Sequence, residues 1–140
     1  MFNKAQFIAE AREWIGTKFH HQAAVKGVGC DCIGLIRGVK NQLIEDDILA
    51  TLDYSMQPNN FRFYNNLEKH PELEPTNVLE PGILLLFKFI REPQHIAIYT
   101  DKNTIIHSYQ PRGQVVEHRL DDKWKDRIHS MYKVKGCEDV

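Results

Sequence analysis

The sequence predicts an α+β fold in which N-terminal helices pack on a curled antiparallel sheet of about five strands. Three observations predict it. Residues 2–43 carry two apolar stripes at helical spacing. From Ile83 onward the apolar pattern becomes strand-like. Short turns join those strands, and sequential strands joined this way must run antiparallel.

Residues 2–15 read as the first helix. Ala5, Ile8, Ala9, Arg12, Trp14 and Ile15 give its stripe, Asn3 can cap it and Gly16 ends it. A loop rich in Gly, Ala and His follows from Thr17 to Asp31. The second helix runs from Cys32 to Leu43, with Cys32, Ile36, Val39 and Leu43 on one face and Asp31 as its N-cap. Residues 45–80 read as a largely irregular surface insertion that walls a cleft, with one short helix from Asn59 to Lys69. The strands are 83–90, 94–100, 104–110, 114–120 and 128–134, with turns at 101–103 and 111–113. The whole chain, 1–140, is expected to form one domain.

Composition narrows the function. The chain is 42% hydrophobic and 26% charged, with a formal net charge of -1. That balance fits a globular protein and offers no basic face for nucleic acid. No apolar run has membrane-spanning length. Met1 to Gln6 lack an apolar signal core, so the sequence as it stands reads as cytoplasmic when synthesised. Three cysteines make an odd count, which argues against a closed disulfide framework.

The chemistry concentrates at Cys32, His95 and His107. A thiol at a helix start meets unpaired backbone N–H groups and the positive end of the macrodipole, both of which favour the thiolate. Side chains alternate along a strand, so His95, Ala97 and Tyr99 share one face, as do Ile105, His107 and Tyr109. A turn centred near Lys102 pairs 100 with 104 or 99 with 103. Either register puts both imidazoles on the same side, roughly 5–8 Å apart at Cβ. One histidine would then act as base to the thiol, and the other would fix its orientation and tautomer. Each group also has a plainer reading, Cys32 as a small buried hydrophobe and the histidines as half-exposed strand residues.

Other candidates carry less. Cys30, Cys32, His95 and His107 could supply two sulfurs and two nitrogens to zinc, but Cys30-x-Cys32 is tighter than the usual ligand spacing. His20 and His21 sit on a loop and are expected to line the cleft or touch substrate. His70, His118 and His129 read as surface residues, and Cys137 as incidental. Trp14 and Trp124 read as packing residues, Trp124 with a place at a groove edge.

At these positions the chain resembles the NlpC-type cysteine peptidases, papain-like enzymes that cut bacterial cell-wall peptides. The carrying segments are Asp31-Cys32-Ile33-Gly34-Leu35, His95-Ile96-Ala97-Ile98-Tyr99 and Ile106-His107-Ser108. The phage-tail and gene-transfer-agent branch is similar in further segments. These are Trp14-Ile15-Gly16-Thr17-Lys18-Phe19-His20-His21-Gln22, Pro81 to Phe87, and Val115 to Leu120. The resemblance implies a papain-like NlpC-type fold and a Cys32–His95–His107 triad. It implies substrate contacts at Phe19, His20, His21, Gln22 and Asp31, with no cofactor and no metal. It implies a peptidoglycan stem peptide as substrate and phage tail or particle proteins as partners, with delivery to the periplasm or cell wall in a phage-like particle. Two positions depart from the pattern. Phe19 stands where relatives carry a Tyr, and Ile83 where they carry an Asp. The alternatives are a thiol amidase, deamidase or acyltransferase on another substrate, a catalytically silent tail component, and a zinc module.

Overall fold

The computed structural model describes residues 1–55 and 57–138. Position 56, within the 45–80 segment, and residues 139 and 140 lie outside the described residues. Phe2–Asn3 form a two-residue strand (β1), and Lys4–Glu13 form the first helix (α1). This helix is shorter than the 2–15 stripe predicts. Phe2 and Asn3 are drawn into parallel pairing with Cys137 and Glu138. Asn3 closes a capping box: its side chain accepts from Gln6 N at 2.9 Å, and its own N–H donates to Gln6 Oε1 at 3.0 Å. The following loop contains a small antiparallel pair, Ala24–Val25 (β2) and Gly29–Cys30 (β3).

The second helix (α2) spans Cys32–Leu43, as its cap and stripe predict. Asp31 Oδ1 accepts from Gly34 N at 2.7 Å. Two glycines let α2 approach its neighbours closely. A Cβ on Gly34 would meet the Ala23 carbonyl oxygen at 1.8 Å, and one on Gly38 would meet the Trp14 ring at 2.1 Å. Trp14 is fully buried, so that ring has nowhere to retreat.

The 45–80 segment has more structure than its sequence suggests. A single 3₁₀ turn covers Ile48–Thr51, a helix covers Arg62–Lys69 (α3), and a strand covers Leu73–Thr76 (β4). Leu49, Leu52, Phe63, Leu67 and Leu73 join the same buried cluster as α2. Lys40 of α2, 2% exposed, holds Asp46 at 2.6 Å and Glu72 at 3.2 Å, tying the start of the segment to the residue before β4. His70, expected at the surface, is buried. Its Nε2 lies 3.0 Å from Thr51 Oγ1, and Nδ1 accepts from Glu72 N at 3.2 Å. His129 is exposed and rests edge-on against Tyr64.

The remaining strands are Leu84–Lys88 (β5), Pro93–Tyr99 (β6), Thr104–Tyr109 (β7), Gln114–Arg119 (β8) and Ile128–Val134 (β9). A short helix, Asp122–Lys125 (α4), precedes β9, and Cys137–Glu138 (β10) closes the order. The main sheet has six strands in the order β4-β9-β5-β6-β7-β8. The expectation of five sequential strands is therefore corrected twice. β4 adds an edge, and β9 crosses back to lie between β4 and β5. One face, with Leu84, Leu86, Ile96, Ile98, Ile106 and Tyr132, belongs to the same buried cluster as α1 and α2. The other buries Leu85, Phe87, Ala97, Ile105 and Leu120, with Trp124 of α4 packed against them. Each fully buried Leu or Ile contributes about 1.5–3 kcal/mol of apolar burial. No helix among the described residues is long and apolar enough to cross a membrane.

Candidate active site

Cys32 is the first residue of α2, so its thiol sits among N–H groups that no helical carbonyl can reach. The N–H groups of Cys32 itself, Ile33 and Ile96 all favour the thiolate. They do not win. Burial first, and the neighbouring Asp31 second, push the Cys32 thiol up to about 12. The helix start does favour the thiolate, as the sequence reading expects, but burial outweighs it in the free protein and the resting sulfur carries its proton. Cys30 is also a buried thiol, raised to about 11 chiefly by burial, and it belongs to the core.

The two histidines meet as their strand register requires. Ile98 pairs with Ile106 and Tyr99 with Ile105, the first of the two registers read from the sequence. The rings of His95 and His107 lie 4.9 Å apart at their centroids. His95 Nε2 is 2.6 Å from His107 Nδ1, so these nitrogens share a short hydrogen bond. That bond leaves Nδ1 as the nitrogen of His95 available to the cavity it lines. Burial pushes His95 down to about 3, with His118 adding to the effect, and pushes His107 down to about 2. Thiol and imidazoles are therefore neutral together at rest.

A cavity of about 260 Å³ opens over Cys32 and His95. Phe19, His21 and Asp31, expected as substrate contacts, line it; His20 and Gln22 do not. His20 is exposed, and its Nδ1 turns to the His21 carbonyl at 3.1 Å. Gln22 acts on the wall from behind. Its N–H donates to Asp31 Oδ2 at 2.7 Å, and its side-chain amide donates to the Tyr54 carbonyl at 3.2 Å. Asp31 is 3% exposed and ties the helix cap to the cavity wall.

The sequence reading missed several residues. Tyr54 and Phe63 line the cavity from the 45–80 segment, Phe89 from just past β5, and Tyr109 from the end of β7. Tyr54 places a hydroxyl beside Asp31 in a cavity where Phe19 has none. Burial, then Asp31, raises its phenol well above the usual range, so it stays a donor. His118, expected at the surface, is half-buried with its Nε2 2.8 Å from His107 Nε2. Trp124 packs edge-on to His107 at 5.3 Å between centroids and covers His118 at 5.0 Å. Among the described residues, no group of three or more His, Cys, Asp or Glu side chains is placed to hold a metal ion.

A cysteine at a helix start, beside a strand-borne histidine pair on an α+β scaffold, is the arrangement of papain-like thiol hydrolases. The chain belongs to the NlpC/P60 family, whose family model matches residues 14–133. No curated protein matches it. Among solved structures, it is similar to the NlpC/p60 domain of the peptidoglycan hydrolase SagA. The two are 22% identical over 94% of this chain and 97% of that one, with a TM-score of 0.62. It is also similar to the peptidoglycan hydrolase RipB of Mycobacterium tuberculosis, at 16% identity over 93% of this chain and 63% of that one, with a TM-score of 0.56. RipD of the same organism, a non-catalytic NlpC/p60 domain protein adapted to peptidoglycan binding, is 14% identical over 95% and 96%, also with a TM-score of 0.56. At these identities the likeness establishes the fold.

Proposed function

We propose that this chain is a cysteine peptidase that hydrolyses amide bonds in peptidoglycan stem peptides. The observation that carries the reading is the hydrogen-bonded His95–His107 pair, with His95 lining the same cavity as Cys32. Membership of a family of peptidoglycan-directed cysteine peptidases supplies the substrate class. Cys32 Sγ attacks the amide carbonyl carbon as its proton passes to His95 Nδ1. The backbone N–H of Cys32, at the start of α2, stabilises the oxyanion. On collapse the C–N bond breaks, and His95 returns the proton to the leaving amine. Water then attacks the thioester carbon as His95 takes its proton, the C–S bond breaks, His95 returns the proton to Cys32 Sγ, and the carboxylic acid product leaves. His107 holds the His95 ring throughout. Delivery by a phage tail or related particle rests on the sequence resemblance alone.

A second reading is a thiol amidase or acyltransferase on a less charged substrate. One observation favours it: among the described residues lining the cavity, none is Lys or Arg, and the wall is rich in aromatic rings. Stem peptides carry carboxylates, and no lysine or arginine of that wall would pair with them. Digestion of purified peptidoglycan by wild type and Cys32→Ala, read by mass spectrometry, decides between the two. Stem-peptide fragments from wild type alone are expected. Fragments from both proteins would remove Cys32 from the chemistry. Fragments from neither, with Cys32 still open to alkylation, would transfer the same machinery to another acyl substrate.

A further inference from the structure

The histidine pair continues into a third ring. His95 Nε2 meets His107 Nδ1 at 2.6 Å, and His107 Nε2 meets His118 Nε2 at 2.8 Å. His118 Nδ1 then lies 3.0 Å from the Arg119 carbonyl oxygen. We propose that His118 is a positioning residue that ends a three-imidazole relay and sets the tautomer of His95.

A carbonyl oxygen only accepts, so His118 Nδ1 carries a proton. In a neutral ring His118 Nε2 is then bare and must accept, so His107 Nε2 carries a proton. His107 Nδ1 is bare in turn, and His95 donates to it from Nε2. The remaining nitrogen, His95 Nδ1, is left with a free lone pair. With the three rings neutral, one main-chain carbonyl thus fixes three tautomers and leaves the cavity-lining ring ready to accept a proton.

The same chain gives the proton a route out. When Cys32 releases its proton to His95 Nδ1, the His95 Nε2 proton can pass to His107 Nδ1. The His107 Nε2 proton can then pass to His118 Nε2. His95 and His107 end neutral, each with its proton on Nδ1, and His118 carries both protons and the positive charge. Return of the proton to the leaving amine reverses both hops. The charge moves from two buried rings to one that is only half-buried. Trp124 covers the third ring, and the Arg127 guanidinium lies over the Trp124 ring, 5.3 Å from its centroid.

The inference rests on His95 acting as base to Cys32, but its test needs no substrate. Two-bond ¹H–¹⁵N correlation spectra, assigned ring by ring, report which imidazole nitrogen is protonated. Wild type should show His95 protonated at Nε2 and His118 at Nδ1. His118→Glu, which only accepts, should keep the His95 proton on Nε2. His118→Lys, which only donates, should move the His95 proton to Nδ1 and slow alkylation of Cys32 at neutral pH by about 100-fold. A His95 proton on Nδ1 in wild type would overturn the proposal. So would identical spectra for the Glu and Lys variants, which would make His118 a filler of space. If the tautomers follow this pattern while peptidoglycan stays uncut, only the substrate assignment fails.

Discussion

The hydroxyl of Tyr54 sits across the Asp31 carboxylate, 3.0 Å from Oδ1 and 2.8 Å from Oδ2. The same two oxygens accept the N–H groups of Gly34 and Gln22. Asp31 thus joins the start of α2, the 17–31 loop and the 45–80 segment at one buried point, one residue from the thiol.

Tyr54→Phe tests that junction. The ring contacts with Phe63 and His21 remain, and only the hydroxyl is lost. Removing one donor from a buried carboxyl group costs about 1–2 kcal/mol. The urea midpoint should fall accordingly, and turnover should fall with it as the cavity wall loosens. An unchanged midpoint would show that the hydroxyl contributes nothing to the join.

Gly34→Ala tests the close approach of α2 to the loop. Alanine ordinarily strengthens a helix by about 1 kcal/mol over glycine. Here the new Cβ would fall 1.8 Å from the Ala23 carbonyl oxygen, and backbone cannot step aside as a side chain can. Net destabilisation of at least about 2 kcal/mol is expected, with displacement of Asp31 and Cys32. Thermal unfolding measures the first and the Cys32 alkylation rate the second. A stabilised variant would mean that the loop yields freely.

What the sequence made legible was local. The α2 boundaries follow from Asp31 and the Cys32–Ile36–Val39–Leu43 face, signals confined to a few turns. The β6–β7 register follows from one short turn. β4 was hidden because Pro75 argues against a strand. Proline is tolerated there because β4 is an edge, where its missing N–H leaves no ladder bond unmade. His118 was hidden by a single residue. A turn of 111–113 would pair 110 with 114 and put Glu117 opposite His107. The chain instead makes a 3₁₀ turn at Gln110–Arg112 and pairs Tyr109 with Gln114, so Val116 faces His107. That one-residue shift brings His118 onto the His107 face and turns Glu117 to Arg12 on the other. Tyr54 could not be placed at all, since nothing local fixes where a long connection folds back.

The neutral thiol makes a prediction about Cys32 reactivity. With its thiol pushed up to about 12, the thiolate fraction near neutrality is small and grows about tenfold per pH unit. Alkylation at Cys32, located by peptide mass mapping, should therefore climb steadily from about pH 7 to about pH 10. Cys30, 0% exposed, should stay unmodified in the folded protein. A rate already level at about pH 6 would reveal a resident thiolate–imidazolium pair and contradict the neutral resting state.

Acid should destabilise the fold through its histidines before it does so through its carboxylates. Burial lowers His95 to about 3 and His107 to about 2, and it lowers His70 in the same direction. In the unfolded chain a histidine titrates near about 6.5. Between those limits the unfolded chain binds protons that the folded protein refuses, so stability rises with pH. The stabilisation is complete above about 6.5 and drains away as pH falls toward the folded values. Each such ring contributes a slope of about 1 kcal/mol per pH unit. Asp46 and Asp47 are held low by hydrogen bonds to Lys40 and Arg37, and their stabilisation is lost only below the ordinary carboxylate range. The interval from about pH 6 to about pH 5 therefore isolates the histidines. Urea unfolding across it should show the loss in wild type. His107→Asn keeps a polar side chain but cannot titrate, and its slope should be shallower by about 1 kcal/mol per pH unit. Equal slopes in the two proteins would mean that His107 already carries its second proton in the folded state, contrary to the neutral ring that its burial favours.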